Sequence, residues 1–398
     1  LWLYQGEPQK AAGLLERAVK AGDQAAVLYL AEAYMGLGKS EKAVTLLGNA
    51  KLAEPEGLCA ESIVLHLGGK TREARTGFIK AARKGGRCGA SLGARFFVSS
   101  GISKSIQPAL QKALDEQEDL RDRIALARVR FRTEGQAAAR AELDKVRALQ
   151  PQGGRALREL ALAYVELGFV EEADKVAQGG VKASRENPLV LAIAADLARK
   201  AGRLDEAEGL IRKGLKSNPR SPHLIYEEAA LFVKRERFSN AEETVQKAVV
   251  PGDMFVDAAC LRAQIQFRRG SRQHAQVALM RSVTPARGFE GVVSEAKIRS
   301  CLVDFHARRG PNALGRAKTQ LFYLRQLPYL WAKIEFLAGY VAERDTRPTD
   351  AVSWYRGALK LDPTHHPSWE RLKKLGQLTD ADLQLYQKIW PGKSLGSE

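Results

Sequence analysis

The chain has 398 residues, of which 45% are hydrophobic and 27% charged, and its formal net charge is +17. This composition is that of an ordinary folded protein and argues against disorder away from the ends. The longest apolar runs, such as residues 189–198, contain charges and are too short to span a bilayer, which excludes membrane insertion. A single core would be unusually large at this length, so a repeat array is expected.

A small residue, in most cases alanine, recurs along the chain at spacings of 31 to 34 residues, with one stretch of 42. These anchor positions are Ala11, Ala43, Ala74, Ile106, Ala139, Ala173, Ala207, Ala241, Ala275, Ala317 and Ala351. Further small or apolar residues follow four and seven positions later, as Leu47 and Ala50 follow Ala43. That spacing is typical of one face of a helix, so each anchor is predicted to lie in a helix.

Glycine and proline divide the repeat into two helices and two turns. Glycine stands five residues before six of the anchors, where a positive φ would end a first helix: Gly38, Gly69, Gly101, Gly168, Gly202 and Gly270. Proline stands twelve residues after four anchors, at Pro55, Pro151, Pro219 and Pro363, where a second helix has to stop. Each repeat is therefore predicted to be a helical hairpin.

Two segments show this signature most fully: residues 30–55, which begin Leu-Ala-Glu-Ala-Tyr, and residues 202–219. Both closely resemble the tetratricopeptide repeat (TPR) family. The resemblance extends over nearly the whole chain. It implies an all-α fold, a right-handed α-solenoid of about ten to eleven hairpins over residues 1–363. Capping helices are expected at 364–390, the second capped by Thr379 or Asp380, and a flexible tail at 391–398.

In the TPR family the first helix of each hairpin lines a concave groove. The residues 18, 15, 11, 8 and 7 positions before each anchor are expected to face it, and basic residues are enriched there. This pattern predicts binding of an acidic peptide or an acidic protein surface. The alternative is that the same arginines only form a solvated face. The predicted contact residues are Arg95, Arg121, Arg128, Arg132, Arg155, Arg158, Arg299, Arg309, Lys333, Phe336, Tyr340 and Arg344.

Aromatic residues are concentrated near the C-terminus, and two of them, Phe336 and Tyr340, fall on groove positions near Lys333 and Arg344. Aromatic residues beside arginine are typical of the centre of a protein interface. The alternative interpretation is that these rings pack the final repeats.

No motif for catalysis, a cofactor or a metal is found. Residues 36–40, Gly-Leu-Gly-Lys-Ser, resemble the end of a phosphate-binding loop, but Ala33 replaces the earlier glycine and two helices flank the segment. The histidines lack zinc spacing. The four cysteines, Cys59, Cys88, Cys260 and Cys301, match no zinc or redox pattern and are expected to be free thiols of a cytoplasmic protein.

The sequence thus predicts a cytoplasmic, non-enzymatic protein-interaction scaffold without a cofactor, as in motility, pilus, secretion or polarity assemblies. A small GTPase or an assembly ATPase with an acidic surface would suit the predicted groove. The alternative is non-specific RNA or DNA binding, which an isoelectric point near 9.7 favours. A base-reading code is not expected, because equivalent groove positions vary from Leu28 to Arg158. A third hypothesis is self-assembly through the apolar start of the chain, at Trp2 and Tyr4.

Overall fold

The computed structural model describes residues 8–37, 39–98, 101–151, 154–184, 187–248, 255–282, 288–327, 332–391 and 395. Within these ranges every regular element is a helix, and the helices alternate as the first and second members of successive hairpins. The predicted all-α helical-repeat solenoid is therefore confirmed. Among the described helices, none is long and apolar enough to cross a membrane. The right-handed sense of the array stays a prediction.

The helices are α1 (Pro8–Lys20), α2 (Ala25–Gly36), α3 (Ser40–Asn49), α4 (Glu56–Leu67), α5 (Thr71–Arg83), α6 (Arg87–Phe97), α7 (Ser103–Glu116), α8 (Leu120–Thr133), α9 (Gln136–Ala148), α10 (Gly154–Glu166), α11 (Val170–Ser184), α12 (Pro188–Lys200), α13 (Leu204–Ser217), α14 (Pro222–Lys234), α15 (Phe238–Ala248), α16 (Phe255–Arg268), α17 (Arg272–Ser282), α18 (Gly288–Arg308), α19 (Pro311–Gln326), α20 (Ala332–Arg344), α21 (Pro348–Leu361), α22 (His366–Lys374) and α23 (Asp380–Ile389).

The anchor residues lie on the odd-numbered helices from α1 to α21, which are the second helices of the hairpins. Every anchor is buried, with at most 4% of its surface exposed. Small side chains at these contacts let neighbouring helices approach closely. At Gly89 of α6, an added Cβ would lie only 2.6 Å from the Cβ of Ala81 in α5. Alanine and glycine recur because helix packing at this distance leaves no room for a larger side chain.

The glycine turns have the expected backbone conformation. Gly69, Gly101, Gly168, Gly202 and Gly270 have φ values between 73° and 86°, whereas Gly38 lies outside the described residues. Two non-glycine residues occupy the same turn position, Glu236 at φ 58° and Thr346 at φ 57°. The left-handed conformation belongs to the turn and is adopted even where the side chain disfavours it.

The described chain forms two compact units. Unit 1 consists of Leu1–Val146, Pro285–Ala296 and Val303–Glu398, and unit 2 consists of Arg147–Thr284 and Lys297–Leu302. Unit 1 thus combines the first hairpins with the last. In it, the Phe131 ring of α8 meets the Trp390 ring after α23 edge to face, with centroids 4.9 Å apart. Residues distant in sequence therefore share one core in unit 1.

The last helix, α23, begins at the N-cap residue that its sequence predicts. Thr379 caps α23: its hydroxyl accepts a hydrogen bond from the Asp382 amide at 3.2 Å, and the Asp382 carboxylate accepts one from the Thr379 amide at 2.9 Å. This reciprocal pair satisfies two amides at the start of the helix. In the predicted flexible tail, Leu395 is described and buried, and its carbonyl accepts a hydrogen bond from Lys373.

Candidate binding site

Three of the predicted contact arginines are paired with carboxylates of the chain itself. Glu32 of α2 accepts hydrogen bonds from Arg95 of α6 at 2.6 Å and from Arg121 of α8 at 2.5 Å. Arg132 of α8 pairs with Asp362, which follows α21, at 2.9 Å. Helical periodicity places these arginines on one face, but it does not show which acids lie opposite. Part of the positive charge of the predicted groove is therefore neutralised within unit 1.

The Asp362 carboxylate is buried and makes several bonds. Besides Arg132, it accepts hydrogen bonds from the amide and hydroxyl of Thr364 at 3.0 and 2.6 Å. Burial alone would raise the pKa of Asp362, but the Arg132 charge and the Thr364 bonds together hold that pKa below its ordinary value. Arg132 and Asp362 thus tie α8 to the turn that follows α21.

The two predicted aromatic contacts lie among other rings. Phe336 of α20 packs against Tyr355 and His365, with ring centroids 5.7 and 5.1 Å away. Tyr340 stacks on Phe336, and the Arg371 guanidinium lies 5.0 Å from the centre of the Tyr340 ring. Both side chains are only partly exposed. These contacts are those of packing between α20, α21 and α22, the alternative that the sequence left open.

The other predicted residues are more scattered. Arg309 lies 5.5 Å from the Phe305 ring, and Arg344 is exposed at the end of α20. Among the described residues, neither has a carboxylate partner. Burial lowers the pKa of His365 to about 4, and the nearby Lys333 charge acts in the same direction, against the Asp362 charge. Three further predicted contact residues are half-buried: Arg128 in unit 1, and Arg158 and Arg299 in unit 2. The side chain of Arg155, in unit 2, lies outside the described residues.

The first hairpins of unit 1 enclose a concave pocket of about 610 Å³ between α1, α2, α6 and the start of α8. One wall is apolar and is formed by Ala11, Leu14, Leu15, Ala25, Leu28, Tyr29 and Leu92. Leu14 and Tyr29 keep 46% and 45% of their surface exposed. A pocket of this size, apolar with a few polar groups, is typical of a ligand site.

Polar side chains of the pocket are held by mutual bonds. Asp119 caps α8, since its carboxylate accepts from the Arg121 amide at 2.9 Å and from the Asp122 amide at 3.2 Å. Asp122, buried, accepts from Arg87 at 3.1 Å and from the Ser91 hydroxyl. Burial and then the Asp119 charge raise the pKa of Asp122, against the opposing effects of Arg95, Ser91 and Arg87.

The charge of this pocket differs from that of the whole chain. Its lining includes four carboxylates, from Glu32, Glu56, Asp119 and Asp122, and two guanidinium groups, from Arg87 and Arg121. Of the predicted contact residues, Arg121 lines the pocket, and Arg95 lies behind it, bonded to Glu32. Sequence reasoning missed Leu14, Tyr29 and Arg87, because the groove positions were restricted to one face of the first helices.

The expectation of free thiols is wrong. Cys59 of α4 is bonded to Cys88 of α6, and Cys260 of α16 to Cys301 of α18, with Cα atoms 6.1 Å apart in each pair. No cysteine of the chain is left unpaired. Cys59 and Cys88 both fall on predicted groove positions of adjacent repeats, which allowed them to be near each other, but nothing in the sequence indicated a bond. Helix stacking brings together the bonded residues, which are 29 and 41 positions apart. The argument for a cytoplasmic location, which rested on free thiols, loses its basis.

In the part of the chain that the structure describes, no group of three or more His, Cys, Asp or Glu side chains is arranged so that it could bind a metal ion.

Comparison with known families identifies the repeat. Family models described as tetratricopeptide repeat match residues 3–61 and residues 193–255. No curated protein sequence matches the chain.

Solved structures that are similar to this chain include the following three. Yeast Tom70 is 15% identical, with 98% of this chain and 88% of that chain covered and a TM-score of 0.47. A tetratricopeptide repeat protein from Parabacteroides merdae is 15% identical, with 72% and 97% covered and a TM-score of 0.44. Human IFIT1, solved as a dimer with PPP-AAAA, is 16% identical, with 89% and 94% covered and a TM-score of 0.43. At such scores the likenesses say nothing about what this chain binds.

Proposed function

The chain belongs to the tetratricopeptide repeat family, and we propose that it is a non-enzymatic scaffold that binds a partner protein through the pocket of its first hairpins. The observation that carries this proposal is the pocket itself, where an exposed apolar wall faces a set of ion-paired polar groups. Such a site takes an apolar side chain of the partner.

The physical basis is the burial of Leu14 and Tyr29. Burying a fully exposed large apolar side chain contributes about 1.5–3 kcal/mol, and Leu14 and Tyr29 have a little under half of their surface left to cover. Aromatic anchors in a pocket commonly dominate a protein interface. The polar groups of the pocket contribute little net charge attraction because Glu32 and Asp122 already have guanidinium partners. They instead hold α2, α6 and α8 in place, so that little order has to be gained on binding.

The charge of the whole chain favours a partner with an acidic surface. A net charge of +17 accelerates encounter with an anionic molecule and disfavours cationic ones. Arg309, Lys333 and Arg344 are the predicted residues that we propose for this contact, since Arg309 and Arg344 have no carboxylate partner among the described residues. A motility, pilus, secretion or polarity assembly is the kind of setting in which such a scaffold would act.

The pocket is tested by a matched pair of substitutions. Leu14→Asp places a charge on the apolar wall, whereas Leu149→Asp makes the same change at a similarly exposed leucine outside the pocket lining. Tagged wild-type and variant chains are used to capture partners from the native cells, followed by mass spectrometry. A protein retained by wild type and by Leu149→Asp but lost by Leu14→Asp supports the proposal; equal retention by both variants contradicts it.

The acidic contact is tested by charge reversal. The variant Arg309→Glu, Lys333→Glu, Arg344→Glu is compared with Lys182→Glu, Lys213→Glu, Lys216→Glu, which changes the net charge equally at exposed residues of unit 2. We expect only the first variant to weaken capture, and to do so most at low salt. Loss of all capture after nuclease treatment would instead support the alternative, RNA or DNA binding.

A further inference from the structure

Both disulfide bonds join the first helices of two consecutive hairpins. Cys59 and Cys260 each stand fifteen residues before an anchor, Ala74 and Ala275 respectively. Each is bonded to a cysteine on the first helix of the next hairpin, Cys88 in α6 or Cys301 in α18. The same cross-link between consecutive first helices therefore occurs once in unit 1 and once in unit 2.

Each bridge joins a buried cysteine to a half-buried one. Cys59 is fully buried in the hydrophobic core that surrounds Ile63 and Phe78, and Cys260 is 9% exposed. Cys88, which lines the pocket, and Cys301 are half-buried. Cysteines that catalyse redox reactions or sense oxidants are accessible, because a thiol or an oxidant has to reach the sulfur. A bridge between two packed helices, with one of its cysteines enclosed in the core, is instead typical of a structural disulfide, which persists where the surroundings are oxidising.

We infer that this chain matures and works in an oxidising compartment, such as a periplasm, a secretory lumen or a cell surface, and not in the cytosol. The pairing of every cysteine carries the inference, since the cytosol keeps the thiols of most proteins reduced. The inference does not depend on the pocket, and it replaces the cytoplasmic location that the sequence predicted.

Formation of each bridge requires an oxidant, which we take to be the disulfide of a thiol–disulfide exchange protein. One cysteine thiolate attacks that disulfide and forms a mixed disulfide, and the second cysteine thiolate then displaces the exchange protein's sulfur. In total, each pair of thiols loses two electrons and two protons, and the exchange protein leaves as a dithiol.

This location narrows the choice of partner. The proposed scaffold would meet proteins of the same oxidising compartment, so a cytosolic small GTPase or assembly ATPase is no longer a suitable candidate. The acidic surface proposed above would then belong to an exported protein or to the exported part of a membrane protein.

The test is a thiol count on the chain as it exists in the cells that make it. Cells are quenched in acid, the protein is denatured, and free thiols are alkylated with N-ethylmaleimide before mass spectrometry, with and without prior reduction. We expect no adduct without reduction and four after it, and peptides in which Cys59 is joined to Cys88 and Cys260 to Cys301. Two or four adducts without reduction would overturn the inference.

Two controls accompany the thiol count: a variant without one of the bridges, and a protein that shows whether oxidation occurred during quenching. The double substitution Cys59→Ser, Cys88→Ser should give no adduct without reduction and two after it, because the Cys260–Cys301 bridge forms independently. A cytosolic thiol protein from the same cells should be alkylated without reduction, which shows that no oxidation occurred during quenching. Because no partner is involved, the count is decided separately from the capture experiments.

Discussion

The two ends of unit 1 contain similar residues on their first helices but use them differently. Near the N-terminus, Tyr29 of α2 lies on the wall of an open pocket and is 45% exposed. Near the C-terminus, Phe336 and Tyr340 of α20 are covered by Tyr355, His365 and Arg371. Aromatic rings beside arginine therefore do not by themselves indicate an interface. The difference is whether other side chains of the same chain pack over the rings.

The largest effect is expected at the buried ion pair between Arg132 of α8 and Asp362, which follows α21. Arg132→Ala leaves the buried Asp362 carboxylate without its guanidinium partner, which should lower the free energy of unfolding by about 3 kcal/mol. Arg344→Ala, at an exposed residue from the same predicted set, should change it by less than about 0.5 kcal/mol. Urea unfolding measures both. Equal effects would mean that Arg132 is not an internal contact.

A smaller loss is expected from the packed ring. Phe336→Ala removes contacts with Tyr355 and His365 and should cost about 2–3 kcal/mol of unfolding free energy, less than for a fully buried phenylalanine. Phe322→Ala is the control, because the Phe322 ring is 60% exposed on α19 and its loss should cost about 0.5 kcal/mol or less. If Phe336→Ala is as mild as the control, the C-terminal rings are available for a partner.

The two ends should respond alike to acid. Burial lowers the pKa of His66, a buried residue of α4, to about 3. Mainly burial lowers the pKa of His365 to about 4, although the Asp362 charge opposes this change. Both values lie below the unfolded value near 6.5. The unfolded chain therefore binds more protons below that pH, and stability present above pH 6.5 is lost as the pH falls toward 4.

Each buried histidine should contribute about 1 kcal/mol or more to the loss of unfolding free energy between pH 7 and pH 5. Urea unfolding at both pH values should show a smaller pH difference for His66→Gln and for His365→Gln than for wild type. A pH difference that is the same in all three chains would contradict the assignment.

The smallest change in unfolding free energy is expected at the turn within a hairpin, where a residue has a positive φ. In the N-terminal half, Gly69 and Gly101 take the positive φ, but the equivalent turn before α21 has Thr346 at φ 57°. Thr346→Gly relieves this conformation and should raise the unfolding free energy by about 0.5–1 kcal/mol. Thr319→Gly, inside α19, should lower it slightly because glycine disfavours helix. A melting temperature that falls for both variants would contradict a strained turn.

The repeat could be predicted from the sequence because its causes are local and periodic. Ala43 and Ala207 are small where two helices touch, Gly202 is a glycine where the turn needs a positive φ, and Thr379 caps a helix start. Each of these constraints acts on residues close together in the chain, so the same pattern returns with every hairpin.

The candidate binding site could not be predicted from the sequence, because it depends on contacts between residues far apart in the chain, which produce no periodic pattern. The Arg132–Asp362 pair joins residues 230 positions apart, and the Cys260–Cys301 bridge joins residues of two different hairpins. A helical wheel shows which face carries Arg132, but not that a carboxylate lies opposite. Similarly, the pocket requires α1, α2, α6 and α8 together, and its Leu14 is on a second helix, outside the predicted face.

The central claim is that a partner covers the N-terminal pocket and not the C-terminal rings. Hydrogen exchange of the full chain, alone and with the partner retained by wild type but not by Leu14→Asp, tests it most directly. We predict slower exchange in peptides that contain residues 11–32 and 117–122, and unchanged exchange in those that contain residues 336–340 without Lys333 and Arg344, which belong to the proposed acidic contact. Protection confined to residues 336–340 would contradict the account.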